Sequence, residues 1–145
     1  FLYTHKISQK TGYMLVSIAG PISNFLFAIV SLIVMKLTFV FNLNLSPQLY
    51  QIILTFVFVN FGLGFFNLLP IPPLDGSKIL MWLLPNHIAE KLERNSMIFF
   101  VILMVLVFTD VIKYISYPIM KSLIFVVELF NMLPEFITVA RYMGN

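Results

Sequence analysis

The sequence predicts an all-α polytopic membrane protein of about four transmembrane helices, the second of them broken at a proline-rich segment, and three observations lead there. Hydrophobic residues make up 60% of the chain and charged residues 10%, against roughly 45–50% and about 25% in a soluble domain. The apolar residues gather into four stretches, each near the ~20 residues that a helix needs to cross a hydrocarbon core about 30 Å thick. The second stretch ends in Pro70, Pro72 and Pro73, followed by the carboxylate of Asp75. No internal repeat or low-complexity tract divides the chain, so residues 1–145 read as one membrane-embedded domain. The chain opens on Phe1 and runs at once into polar residues, with no basic and apolar leader of the signal-peptide kind. Further sequence is therefore expected upstream.

The first stretch runs from about Tyr13 to Phe41. Gly20-Pro21 interrupts it early, so its firm helix is predicted from Ile22 to about Phe39. A neutral, turn-like segment follows at Asn42 to Gln48. The second stretch, Leu49 to Leu69, has no charged residue. After the prolines come Asp75-Gly76, a short amphipathic stretch from Ser77 to Leu84, and a charged run from His87 to Arg94 that reads as an amphipathic segment lying at the membrane surface. The third stretch, Met97 to about Ile115, carries Asp110 and Lys113 towards its end. A tight link around Ser116 to Pro118 then leads into the fourth, about Tyr117 to Leu133, which holds Lys121 and Glu128, two helical turns apart and able to face one another. In a four-span path Lys6, Lys10, Lys78, Lys91, Arg94 and Arg141 fall on one side and Lys36, Lys113 and Lys121 on the other, which puts both chain ends in the cytosol. The phenylalanines are expected as lipid-facing bulk.

Composition also excludes some chemistry. The nine Lys and Arg residues stand singly, without the basic stripe that tracks a phosphate backbone, so nucleic acid is not an expected partner. With no cysteine, any metal must be held by His, Asp or Glu.

The segment Asn67-Leu68-Leu69-Pro70-Ile71-Pro72-Pro73-Leu74-Asp75-Gly76 is where chemistry is expected. Prolines donate no N–H and clash with the preceding turn, so the helix must end there and leave carbonyls without helical partners. At membrane depth such backbone is tolerated only where it is buried in protein or lines a watery cavity. An ionised Asp at the bilayer centre costs on the order of 3 kcal/mol, so Asp75 calls for a partner, and a divalent metal would serve. Asn60 and Asn67 share a helix face, and Gly62 and Gly64 allow a second helix to approach. The plainer reading of Asp75 is a helix N-cap before Ser77. Asn60 reads as a hydrogen-bond partner within the bundle, Glu128 as structural, His5 and His87 as surface residues, and Gly20-Pro21 with Asn24 as a kinked helix start that packs against a neighbour.

The pattern Asn-x-x-Pro-x-x-x-x-Asp-Gly, preceded by Ala19-Gly20-Pro21-Ile22-Ser23-Asn24 at the head of the earlier stretch, resembles the site-2 protease family of intramembrane zinc metalloproteases (peptidase M50-like). The resemblance covers Lys10 to the end of the third stretch. It implies that Asp75 is the third zinc ligand and that Asn67 positions substrate or stabilises the oxyanion, with Gly20, Pro21, Asn24, Pro70, Pro72 and Gly76 as structural parts of the two motifs. It also implies two histidine ligands and a glutamate base on a His-Glu-x-x-His helix, which this chain lacks; alone it is expected to be inactive. Substrates would be transmembrane segments of single-span proteins, and the location a bacterial or archaeal cell membrane. Two other readings stay open: a non-catalytic homologue that acts by binding, and a small transporter built around a broken helix, against which the missing inverted repeat argues.

Overall fold

The structure, a computed structural model, describes residues 9–43, 45–109 and 112–143, and among them are seven helices and no strand. His5, Lys6 and Asp110 lie outside the described residues.

Helix α1 (Gln9–Val40) runs 32 residues without a break at Gly20-Pro21, contrary to the sequence expectation. Proline removes one N–H and opposes one carbonyl, that of Ser17. Helical pairing resumes on either side, so the loss is confined to that one bond. The Ser23 hydroxyl, donating to the Ala19 carbonyl at 2.8 Å, supports the same turn. The helix closes on Asn42, whose φ of 49° is left-handed. The Leu43 N–H donates to Thr38 at 2.8 Å and the Asn42 N–H to Phe39 at 3.1 Å, a Schellman closure in which Asn takes the position usually given to Gly. Helix α2 (Pro47–Leu68) starts on a proline, whose missing N–H costs nothing in a first turn. α1 and α2 are long and apolar enough to cross a membrane.

α2 stops at Leu68, and bends carry the chain through a cis Pro72–Pro73 peptide to α3 (Asp75–Leu83). Helix α4 (Asn86–Arg94) holds the charged run, with Ile88 and Leu92 one turn apart, Lys91 and Arg94 in its last turn and no buried residue. Helix α5 (Ser96–Val107) has 12 residues, about 18 Å of rise, and is shorter than the third stretch predicted. Helix α6 (Ile112–Leu129) passes straight through Ser116–Pro118, where a link was expected. Pro118 opposes only the carbonyl of Tyr114, in the first turn, so little pairing is lost. α6 ends on Asn131, φ 51°, with Met132 N–H to Val127 at 3.0 Å and Asn131 N–H to Glu128 at 2.9 Å. Leu133, expected as the end of the fourth span, instead begins α7 (Leu133–Met143). Lys121 lies 5.1 Å from the Tyr117 ring centroid rather than towards Glu128, which is exposed.

The chain forms two units, one from Phe1–Ser23 and Gly64–Lys113 and the other from Asn24–Leu63 and Tyr114–Asn145, as far as these are described. The second has a core of Ala28, Leu32 and Met35 from α1, Leu54 and Val57 from α2, Leu123 and Val127 from α6, and Met132 and Val139, all but fully buried. Some phenylalanines belong to it rather than to the surface: Phe25 meets Phe61 edge-on at 5.5 Å, and Phe58 meets Phe136 at 5.7 Å. Phe41, Phe108 and Phe125 are exposed as expected. Asn60, 7% exposed, gives its amide to the Phe56 carbonyl of its own helix at 2.9 Å, not to a neighbour. Lys36 donates to the Asn131 carbonyl at 2.8 Å and pairs with Glu135 at 3.2 Å.

Candidate functional site

In the first unit, Gly76 explains how the proline segment is folded. A Cβ at Gly76 would overlap the Leu68 carbonyl and crowd that of Leu69, so the first turn of α3 lies directly on the end of α2. Only glycine permits that approach. The adjacent Asp75 is thereby fixed in place. It is the first residue of α3, not its N-cap: Leu74 holds the capping position and no side chain caps the helix. The Ser77 hydroxyl donates instead to the Leu74 carbonyl at 2.7 Å. As an acid in a first turn, Asp75 is favoured by the helix dipole.

The Asp75 carboxylate reaches α1. Its Oδ2 lies 2.9 Å from where a Cβ on Gly20 would stand, so the missing side chain of Gly20 is the space the carboxylate uses. Pro21, next in the chain, is fully buried. Oδ1 faces Lys78 Nζ at 3.8 Å, one turn along α3, and the Asp75 side chain remains 31% exposed. The far end of α3 is pinned to the start of α1: Lys10 Nζ donates to the Leu84 carbonyl at 2.7 Å and to Asn86 Oδ1 at 3.2 Å, and the Trp82 indole N–H donates to Thr11 Oγ1 at 3.3 Å. α3 therefore lies antiparallel along the first turns of α1, tied at both ends.

Asn67 is half-buried in the last turn of α2, beside the Leu68 carbonyl that Gly76 abuts. Pro70 is exposed and Pro72 buried within the connecting bends. Asn24 lies on α1 in the other unit, half-buried. Thus the structure brings Gly20, Asp75 and Gly76 together. Lys78, which no motif singled out, is a charged neighbour of Asp75 that its i,i+3 spacing could have flagged. His87 is exposed on α4.

A catalytic zinc takes three protein ligands of the His, Glu, Asp or Cys kind. Among the described residues no three such side chains converge. The carboxylate of Asp75 has the donor chemistry and the remaining exposure to serve as one ligand.

Comparison with known proteins bears on the same segment. Residues 43–109 match the family model described as Peptidase family M50, a stretch that includes Asn67, Asp75 and Gly76. A Bacillus subtilis protein named as a candidate zinc metalloprotease is 32% identical over 113 residues, which are 75% of this chain and 52% of that protein. A zinc metalloprotease of Methanocaldococcus jannaschii is 44% identical over 71 residues, 49% of this chain and 20% of the relative. A second protein of that organism, also named as a candidate zinc metalloprotease, is 39% identical over 67 residues, 46% and 32% of the two chains. The chain thus spans about half the length of the first relative and less of the others. No solved structure matches.

Proposed function

The chain belongs to peptidase family M50, and from that premise we propose that the whole protein is a multi-pass intramembrane zinc metalloendopeptidase that cleaves transmembrane segments of other membrane proteins. Asp75 is its third zinc ligand in this reading, with two imidazoles supplied by sequence outside these 145 residues. The observation that carries it is the seat of Asp75: a carboxylate lodged in the space left by Gly20, its backbone held by the Gly76 approach to α2. The two halves of the family resemblance, far apart in sequence, meet at that carboxylate.

When bound, zinc would acidify a water for attack on a peptide carbonyl. The residues of this chain would do the rest of what falls to them. Asp75 would bind through its carboxylate, with Lys78 pairing its other face at 3.8 Å, one turn along α3. Asn67, in the last turn of α2, would hydrogen-bond a substrate carbonyl in this reading. The backbone freed by Pro70, Pro72 and Pro73 offers groups to pair with an unwound substrate strand.

In the intact protein, Asp75→Asn keeps the shape of the side chain and removes its charge. Zinc retained after dialysis should fall well below one per chain, and cleavage of a membrane-embedded substrate should cease. Unchanged turnover would remove Asp75 from the ligand set.

A further inference from the structure

An open cleft of about 750 Å³ lies within the first unit, bounded by the start of α1, the Pro72–Pro73 bend, one face of α3 and one face of α4. Its charged lining is unequal in one respect. The lysines are engaged with the protein: Lys10 through the Leu84 and Asn86 oxygens, and Lys78 through Asp75. The carboxylates are not. Glu90 and Glu93 stand one turn apart on the cleft face of α4, and among the described residues neither forms an ion pair. Tyr13 and Trp82 add aromatic rings to the same lining. Unmet carboxylates beside aromatic rings suit a cation carried on a long aliphatic stem, which can pair at its tip and lie along a ring.

The position of the cleft says which cations would meet it. Lys10 and Lys78 line it, and Lys91 and Arg94 lie on the helix that forms its wall. Such an accumulation marks the cytosolic side, where membrane-spanning segments in general carry Lys and Arg flanks. Lys78 belongs both to the cleft and to the Asp75 ion pair, so whatever occupies the cleft is one side chain away from the candidate ligand.

We infer that this cleft receives the basic cytosolic flank of the membrane-spanning substrate, with Glu90 and Glu93 taking its Lys or Arg side chains. The identity of the occupant as a substrate rests on the peptidase reading; the charge preference of the cleft does not.

The test measures binding without turnover. The intact protein in phosphatidylcholine nanodiscs, stripped with chelator, is titrated with single-span peptides that differ only in a flank of three Lys, three Gln or three Glu. The Lys peptide should bind about tenfold more tightly than the Gln peptide, the yield of two partly exposed ion pairs with ring contacts, and the difference should shrink as salt is raised. Glu90→Gln with Glu93→Gln should abolish the preference. Glu90→Lys with Glu93→Lys should reverse it in favour of the Glu peptide, a gain that misfolding cannot produce. Equal binding of the Lys and Gln peptides, or a Lys preference that survives the reversal, overturns the inference. So does a preference that vanishes when phosphatidylethanolamine replaces phosphatidylcholine, which would give the cleft to an amine headgroup. Failure of the intact protein to cleave leaves this result standing, and loss of flank preference leaves the zinc assignment standing.

Discussion

A methyl group on Gly20 would stand 2.9 Å from Asp75 Oδ2, too close for either to stay where it is. The intruded atom is the tip of a side chain rather than backbone, so the carboxylate gives way and the fold survives. Gly20→Ala should therefore lower zinc affinity by about tenfold, the scale of a lost supporting contact, with the thermal midpoint little changed; chelator titration and a thermal scan separate the two. Gly76→Ala differs because its new atom meets the Leu68 carbonyl, which belongs to the end of α2 and cannot move alone. That variant should lose about 2–3 kcal/mol of stability, as overpacked sites do, seen as a lowered midpoint before any metal is added. The proline cluster and the carboxylate, which break local rules together, drew attention to the Asp75 segment in the sequence, and Gly76 entered only as part of the family motif. The Gly20 contact was not legible there. No periodicity or spacing says that a glycine on one helix leaves room for a carboxylate that begins another.

Helix ends were easier to foresee than helix interruptions. Asn42 lies in a segment read as a turn, and its left-handed φ of 49° is a conformation that Asn tolerates better than most residues. Asn131 plays the same part after α6, where the sequence reading had let an apolar helix run on to Leu133. Replacing Asn131 by Ala should cost about 1 kcal/mol and by Gly close to nothing, because the cost is that of a Cβ in left-handed backbone; equilibrium unfolding in detergent reads the difference. Pro21 and Pro118 were misread in the opposite sense, since each costs one pairing and long apolar helices absorb that loss. The turn at Asn131 is also gripped from outside by Lys36, which bonds its carbonyl and pairs with Glu135, whose other oxygen is buried without a partner. The two side chains are 33% and 22% exposed, so breaking the pair should cost less than a fully buried one, about 1–2 kcal/mol for Lys36→Met. Lys36→Met combined with Glu135→Leu should recover most of that, because no orphaned carboxylate remains.

The same grip bears on how the whole chain crosses the membrane. Lys36 lies in the last turns of α1, so within its own unit the turn after α6 sits at the end where α1 hands over to α2. A path in which α5 and α6 both cross would deliver that turn to the opposite face. α5 spans 12 residues, about 18 Å, against a core of about 30 Å, and is too short to cross by itself. A path of three crossings, by α1, α2 and α6, fits both observations. It also leaves Lys10, Lys78, Lys91, Arg94 and Lys113 on one side and Lys36 and Arg141 on the other, a cytosolic bias like that of the four-span path. The four-span count came from apolar composition, which registers that α5 avoids water but not that its helix is too short to reach the far face. These 145 residues contain no cysteine, so labelling within them reports on single-cysteine variants, with any cysteines outside them replaced first. Leu43→Cys and Asn131→Cys should react with a membrane-impermeant maleimide from the same side of intact cells, and His87→Cys only after permeabilisation. If Asn131→Cys instead follows His87→Cys, α5 crosses after all and the Lys36 grip does not hold in the membrane. Agreement between Leu43→Cys and Asn131→Cys, with His87→Cys shielded in intact cells, would favour three crossings over four, because a crossing by α5 would put Asn131 on the His87 side.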